Sequence, residues 1–295
     1  MDIEGNFSSN GTNLGSYDSW YTSRRYQPHT SDCDGYIYNV LLHIIGITSI
    51  IGIIITVITL LTIACHRRVR KKHFIFAFNI VLADLLLNIV IFVDYIVALS
   101  YSDWIPLPKV YVTLSRLLFT SSSLVSTTNV LFVAVDQFIA FKLDPFGTRH
   151  ILTKSRQVCI CLTTWVIMIA VSVPLSDIDA YTYKLTQSCV FNSLLTFTGV
   201  CYIFVYRSVA ETPPGSAGNQ YQSRRRKTKR VLKNYALILI TNLLLITLPD
   251  IIYFAAAPVV YCLQIIWIIT QTLNTIANAF IYWWRVREFR AILMC

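Results

Sequence analysis

The sequence predicts an all-α membrane protein: a bundle of seven transmembrane helices followed by a short, membrane-parallel eighth helix. Three observations predict it. Of the 295 residues, 55% are hydrophobic and only 14% are charged, where a soluble domain carries about 25% charged residues. The apolar residues fall into seven separate charge-poor runs, and the mean hydropathy is +0.57. Lys and Arg gather in alternate connections between those runs.

Each run has the length that a bilayer demands. Crossing the hydrocarbon layer takes about 20 apolar residues as a helix, because every backbone amide there must bond within its own segment. Gly35 to His66 carries no Asp, Glu, Lys or Arg. His73 to Ser100 is interrupted only by Asp84 and Asp94, and Lys109 to Phe141 is free of charge between Arg116 and Asp136. Gln157 to Leu175, Cys189 to Tyr206, Val231 to Ala257 and Val259 to Trp284 complete the set, with the fifth run the shortest.

Loop charge orients the bundle. Twenty of the 25 Lys and Arg follow the first, third, fifth and seventh runs, and basic residues near helix ends stay in the cytosol. The amino terminus is therefore expected outside and the carboxyl terminus inside, at the plasma membrane. A mostly polar segment of 34 residues precedes the first run, so a cleaved signal peptide with a basic start and an immediate apolar core is not expected. The net charge of +10 is thus a topology signal, so nucleic acid is not an expected partner. Anionic inner-leaflet lipid can still meet Arg224 to Arg230.

The chain divides into a Ser-, Asn- and Tyr-rich extracellular arm over 1–35, a helical domain over 36–284 and a cytoplasmic amphipathic end over 285–295. Asn6 and Asn10 begin N-glycosylation sequons in the arm. Among the eight cysteines, Cys33, Cys189 and Cys262 are expected outside the membrane, which permits one disulfide and one free thiol without choosing the pair. Cys295 ends the chain beside the inner membrane face and is a palmitoylation candidate.

The order of several motifs resembles the rhodopsin-like G-protein-coupled receptors over residues 36–295. Leu82-Ala83-Asp84 is similar to the family's Leu-Ala-x-x-Asp region, and Asp136-Gln137-Phe138 stands where the family has Asp-Arg-Tyr, with Pro145 eight residues after Gln137. Trp165 and Pro174 fall in the fourth run and Pro249 in the sixth. Asn278-Ala279-Phe280-Ile281-Tyr282 resembles Asn-Pro-x-x-Tyr, with Phe289 following where the eighth helix begins. The resemblance implies a receptor for an extracellular ligand, with a heterotrimeric G protein or arrestin as cytoplasmic partner and no catalytic residues. It also implies that Asp84, Ser126, Asn274 and Asn278 hold an allosteric sodium ion, the only cofactor expected. A buried carboxylate needs a cation, hydrogen bonds or a proton to offset its lost hydration, and the alternative is an Asp84 bonded to Asn278 without an ion.

The departures concern coupling. Asp136, Gln137 and Tyr282 occupy the switch positions, but the amide of Gln137 cannot form the ion pair that the family's arginine makes. Thr247 replaces the tryptophan before Pro249, Ala279 replaces the last proline, and no cysteine stands among Tyr111, Val112 and Thr113. These changes keep open an atypical or decoy receptor with weak or no coupling.

Ionisable residues inside a membrane are candidates for function. Asp94, Arg116 and Asp250 are such residues, and Phe119 and Ser123 join them as ligand-binding candidates. Asp94 and Arg116 fall near the outer mouth, where they pair with each other or leave Arg116 to hold a ligand's acid. Asp250 faces the ligand or bonds the backbone freed by Pro249. Phe119 stands where the family's amine receptors have an aspartate and Thr272 where opsins have a lysine, which disfavours monoamines and retinal. A transporter or channel is the more distant alternative, since polar residues other than Asp84, Asn274 and Asn278 do not form a continuous path. An intramembrane enzyme is disfavoured because His29, His43, His66, His73 and His150 lie in different surroundings.

Overall fold

The computed structural model describes residues 35–65, 75–100, 108–139, 153–176, 178, 180–211, 236–255 and 261–285. These residues form seven helices. They are α1 (Gly35–Cys65), α2 (Ile75–Ser100), α3 (Lys109–Phe138), α4 (Lys154–Ser176), α5 (Ala180–Glu211), α6 (Ala236–Ala255) and α7 (Tyr261–Arg285). The first six are long and apolar enough to cross a membrane. With 25 residues, α7 has the length, but Gln271, Thr272, Asn274, Thr275 and Asn278 give it a polar run, all of it buried. The expected eighth helix falls on residues 286–295, which lie outside the described residues.

Two boundaries differ from the sequence expectation. The fifth helix begins at Ala180 rather than Cys189, and at 32 residues it is the longest of the seven. Its first turns carry Lys184, Gln187 and Ser188, which lower the hydropathy of a segment that nevertheless packs as helix because those side chains are buried. The described part of α6 begins at Ala236, and its Leu243–Thr247 turn is a π-helix. That wide turn lies directly before Pro249, whose ring removes a backbone donor and crowds the preceding turn.

The burial pattern is that of a protein with an apolar solvent. Ile47, Ile50, Ile51, Ile54 and Ile58 of α1 face outward, whereas Ser49, Thr56 and Thr59 are buried. Many buried hydroxyls bond a carbonyl one turn back on their own helix, as Thr56 does to Gly52 at 2.7 Å. Small residues let such helices approach closely. A β-carbon on Gly46 would stand 2.5 Å from the Tyr95 ring, and one on Gly52 would stand 2.6 Å from the Asn88 side chain. Those contacts seat α1 on α2.

α3 runs through the centre, with 72% of its apolar window buried. It packs against α2, α4 and α5, while α7 closes the bundle against α1, α2 and α6. One apolar cluster includes Ile80, Val130, Tyr202, Ile238 and Ile281. A second holds Leu87, Ile91, Phe119 and Trp267. The polar residues considered below lie between and beside these clusters.

Candidate functional site

The central polar group is built on Asp84, which is 2% exposed. Ser126 of α3 donates its hydroxyl to Asp84 Oδ1 at 2.7 Å, and Asn278 of α7 donates Nδ2 to Asp84 Oδ2 at 3.1 Å. Three helices therefore meet on one carboxylate. Asn88, one turn further along α2, donates to the Asp84 carbonyl at 2.8 Å and to Thr275 Oγ1 at 2.9 Å. Asn274 turns instead to α6, donating Nδ2 to Asn242 Oδ1 at 3.1 Å. The amide oxygens of Asn274 and Asn278 are buried and accept no hydrogen bond. The orphaned Asn278 oxygen, with the Asp84 carboxylate and the Ser126 hydroxyl, makes a donor set of oxygen atoms only, which fits a hard cation.

At the end that the charge bias assigns to the exterior, the candidates separate into two groups. Asp94 of α2 accepts hydrogen bonds from Tyr111 and Ser115 of α3, the latter at 2.9 and 2.7 Å to its two oxygens. Arg116 donates Nη1 to the Ile178 carbonyl at 3.4 Å, and its guanidinium lies 5.7 Å from the Tyr183 ring centroid. Asp94 thus ties α2 to α3, while Arg116 reaches the connection between α4 and α5. Thr120 of α3 bonds the Tyr183 hydroxyl of α5 at 2.5 Å.

The second group surrounds Asp250, which is 3% exposed. Its Oδ1 accepts the Trp267 indole N–H at 2.6 Å, so the carboxylate bonds across to α7. The Phe119 ring lies 5.5 Å from the Trp267 ring, and the Ser123 hydroxyl is buried without a partner. Lys184 of α5, one of the five Lys and Arg outside the connections expected in the cytosol, completes this group. It is 2% exposed, and its Nζ lies 3.5 Å from the Tyr253 ring centroid and 4.4 Å from that of Trp267. Lys184 and Asp250 interact through their charges, and cation–π contact holds the ammonium against the two rings.

A helical stripe would have found Lys184. Lys184, Gln187, Ser188 and Asn192 recur at the spacing of one helix face, and placing the start of α5 at Cys189 hid the pattern. Trp267 was missed for a different reason. It stands in α7, far in sequence from Thr247, yet it supplies the large aromatic of the outer core. Thr247 itself donates to Asn192 Oδ1 at 2.7 Å and joins α6 to α5.

At the inner end, Asp136 and Gln137 are both buried, and Gln157 of α4 donates Nε2 to Asp136 Oδ1 at 3.3 Å. Trp165 ties α4 to α2 through Asn79 at 2.9 Å. Cys189 lies within α5 and is a free thiol among the described residues. Asn6, Asn10, Cys33 and Cys295, and the side chains of Cys262 and Tyr282, fall outside the described residues.

Residues 55–184 match the model of the seven-transmembrane receptor of the rhodopsin family. The matched segment starts within α1, takes in Asp84, Ser126, Asp136 and Gln137, and ends at Lys184. No curated protein matches the chain.

Proposed function

We propose that the chain is a rhodopsin-like receptor that carries an extracellular ligand signal to cytoplasmic partners, a reading supported by the match of residues 55–184 to that family's model. The observation that supports this most is the buried polar connection between helices. Asp84 joins α2, α3 and α7, and Asn274 extends the connection to Asn242 of α6. At the outer end, α6 is held to α7 by Asp250 and Trp267 and to α5 by Thr247 and Asn192. A ligand that enters between α3, α5, α6 and α7 would act on those bonds and bias movement of α6.

Asp84, Ser126, Asn274 and Asn278 would hold the sodium ion. Its charge would offset the buried carboxylate and favour the arrangement in which Ser126 and Asn278 meet Asp84. Asp94 and Arg116 would set the outer mouth, with Phe119, Ser123 and Asp250 deeper in the pocket. The arm over 1–35 would lie outside with its glycans on Asn6 and Asn10, and a G protein or arrestin would meet the inner end at Asp136, Gln137 and Tyr282.

Gln137 favours a second reading, an atypical receptor that binds ligand without conventional coupling. Expression with a panel of G-protein and arrestin reporters, beside Gln137→Arg, separates the two. Wild-type nucleotide exchange above background is expected for the coupled receptor, and its recovery only in Gln137→Arg would assign the atypical reading.

A further inference from the structure

The outer half of the bundle holds a concentration of buried polar atoms with nothing to bond. On α5, Lys184 and Gln187 are each 2% exposed and Ser188 is 5% exposed. Lys184 Nζ and both polar atoms of the Gln187 amide have no hydrogen-bond partner, and the Ser188 side chain lies beside the Asp250 carboxylate. On α3, the hydroxyls of Ser122 and Ser123 have no hydrogen-bond partner either. Native interiors leave few such groups orphaned, and a buried ammonium is the costliest of them.

These atoms share one level of the bundle. The Thr120–Tyr183 bond joins α3 to α5 just outward of them, and Leu124 packs with Phe191 just inward. Ser122 and Ser123 therefore stand at the height of Lys184, Gln187 and Ser188. The level is about 9 Å of helix rise outward of Ser126 at Thr120, well separated from the Asp84 group. Its apolar wall is aromatic: Tyr253 and Trp267 lie against Lys184, and Phe119 packs on Trp267.

The chemistry of the unbonded atoms selects a ligand. An ammonium has three N–H donors and no acceptor, and the amide and hydroxyls donate as well. An anionic oxygen group can accept from all of them. Asp250 lies close enough to Lys184 to interact with its charge, but it bonds the Trp267 indole and leaves the ammonium without a hydrogen bond.

We propose that Lys184, with Gln187 and Ser188, binds the carboxylate or phosphate of a ligand whose flat apolar body lies against Tyr253 and Trp267. This rests on the receptor reading and gives its pocket a ligand class. An acid bonded to Lys184 draws the ammonium from the two rings and weakens its hold on Asp250. It thereby acts on the Asp250–Trp267 bond that joins α6 to α7.

The test uses the full chain purified in lipid nanodiscs, with indole-3-acetate, phenyl phosphate and the neutral indole-3-acetamide as probes. Saturable elevation of the melting temperature by at least one anion, and not by the amide, is expected. The two anions separate a carboxylate site from a phosphate site. Lys184→Gln should weaken the effect about tenfold or more, the loss of a charge-assisted hydrogen bond, and Lys184→Arg should retain part of it. Without a probe, Lys184→Gln should melt lower than wild type, because it leaves the buried Asp250 without its opposite charge, so the probe effect is read as the shift from each variant's own baseline. Equal stabilisation by acid and amide, an undiminished effect in Lys184→Gln, or no response to either anion would overturn the proposal. Nucleotide exchange without probe keeps the two readings apart. A chain that couples but ignores the acids loses only this site, and one that binds acid through Lys184 but never engages a transducer loses only the receptor reading.

Discussion

At Asp84, one carboxylate accepts from two helices while the amide oxygen of its donor Asn278 accepts nothing. Asparagine in its place keeps the shape but has one acceptor oxygen and no charge. Wild-type protein should therefore gain about 1–3 kcal/mol of ligand-linked stability in sodium chloride over choline chloride at equal ionic strength. Asp84→Asn should show no difference between the salts, and thermal melting of the purified chain is the measurement. An identical salt response in the variant would leave Asp84 bonded to Ser126 and Asn278 without an ion. Asp84, Ser126 and Asn278 were legible because polar residues in apolar runs stand out and their order matched a known pattern. Asn274 belongs to the same level but bonds Asn242, a partner that no spacing between α6 and α7 reveals. Lys184 was illegible for a physical reason: hydropathy ends a span at a charge, whereas here two aromatic rings from other helices cover that charge.

Helices α1 and α2 meet where a side chain has been left out. Gly52 admits the Asn88 amide, which in turn reaches Thr275 of α7, so one missing β-carbon supports a contact among three helices. Gly52→Ala should place a methyl group within 2.6 Å of Asn88 and cost about 1–3 kcal/mol, the usual penalty of overpacking. Gly199→Ala provides the comparison, since its nearest neighbour, Leu239 Cδ2, is 3.8 Å away. Melting temperature and cell-surface yield should fall for the first substitution and hold for the second, and equal behaviour of the two would remove Gly52 from that role. The elements themselves were readable from charge-free runs, but their ends were not. α5 begins nine residues before the expected start because its polar first turns are buried. The π-turn at Leu243–Thr247 had only Pro249 as a sequence signal, and a proline marks a disturbance without specifying its form.

For the whole molecule, hydropathy and charge carry different information. Hydropathy alone admits six of the seven described helices, because the polar residues of α7 face the bundle rather than the lipid. Counting charges instead of polarity keeps α7, since Val259 to Trp284 has no Lys, Arg, Asp or Glu. The distinction decides topology. With six crossings both termini would share one side, whereas with seven they face opposite sides, and the basic connections then fall consistently in the cytosol. An amino-terminal epitope should be stained on intact cells and a carboxyl-terminal epitope only after permeabilisation. Removing N-linked glycans should sharpen and lower the apparent mass of the wild-type chain, and replacing Asn6 and Asn10 together with Gln should abolish that shift. Staining of both ends without permeabilisation would mean an even number of crossings. It would also place the Gln137 end of α3 and the last turn of α7 on opposite sides of the bilayer, where no single cytoplasmic partner could touch both.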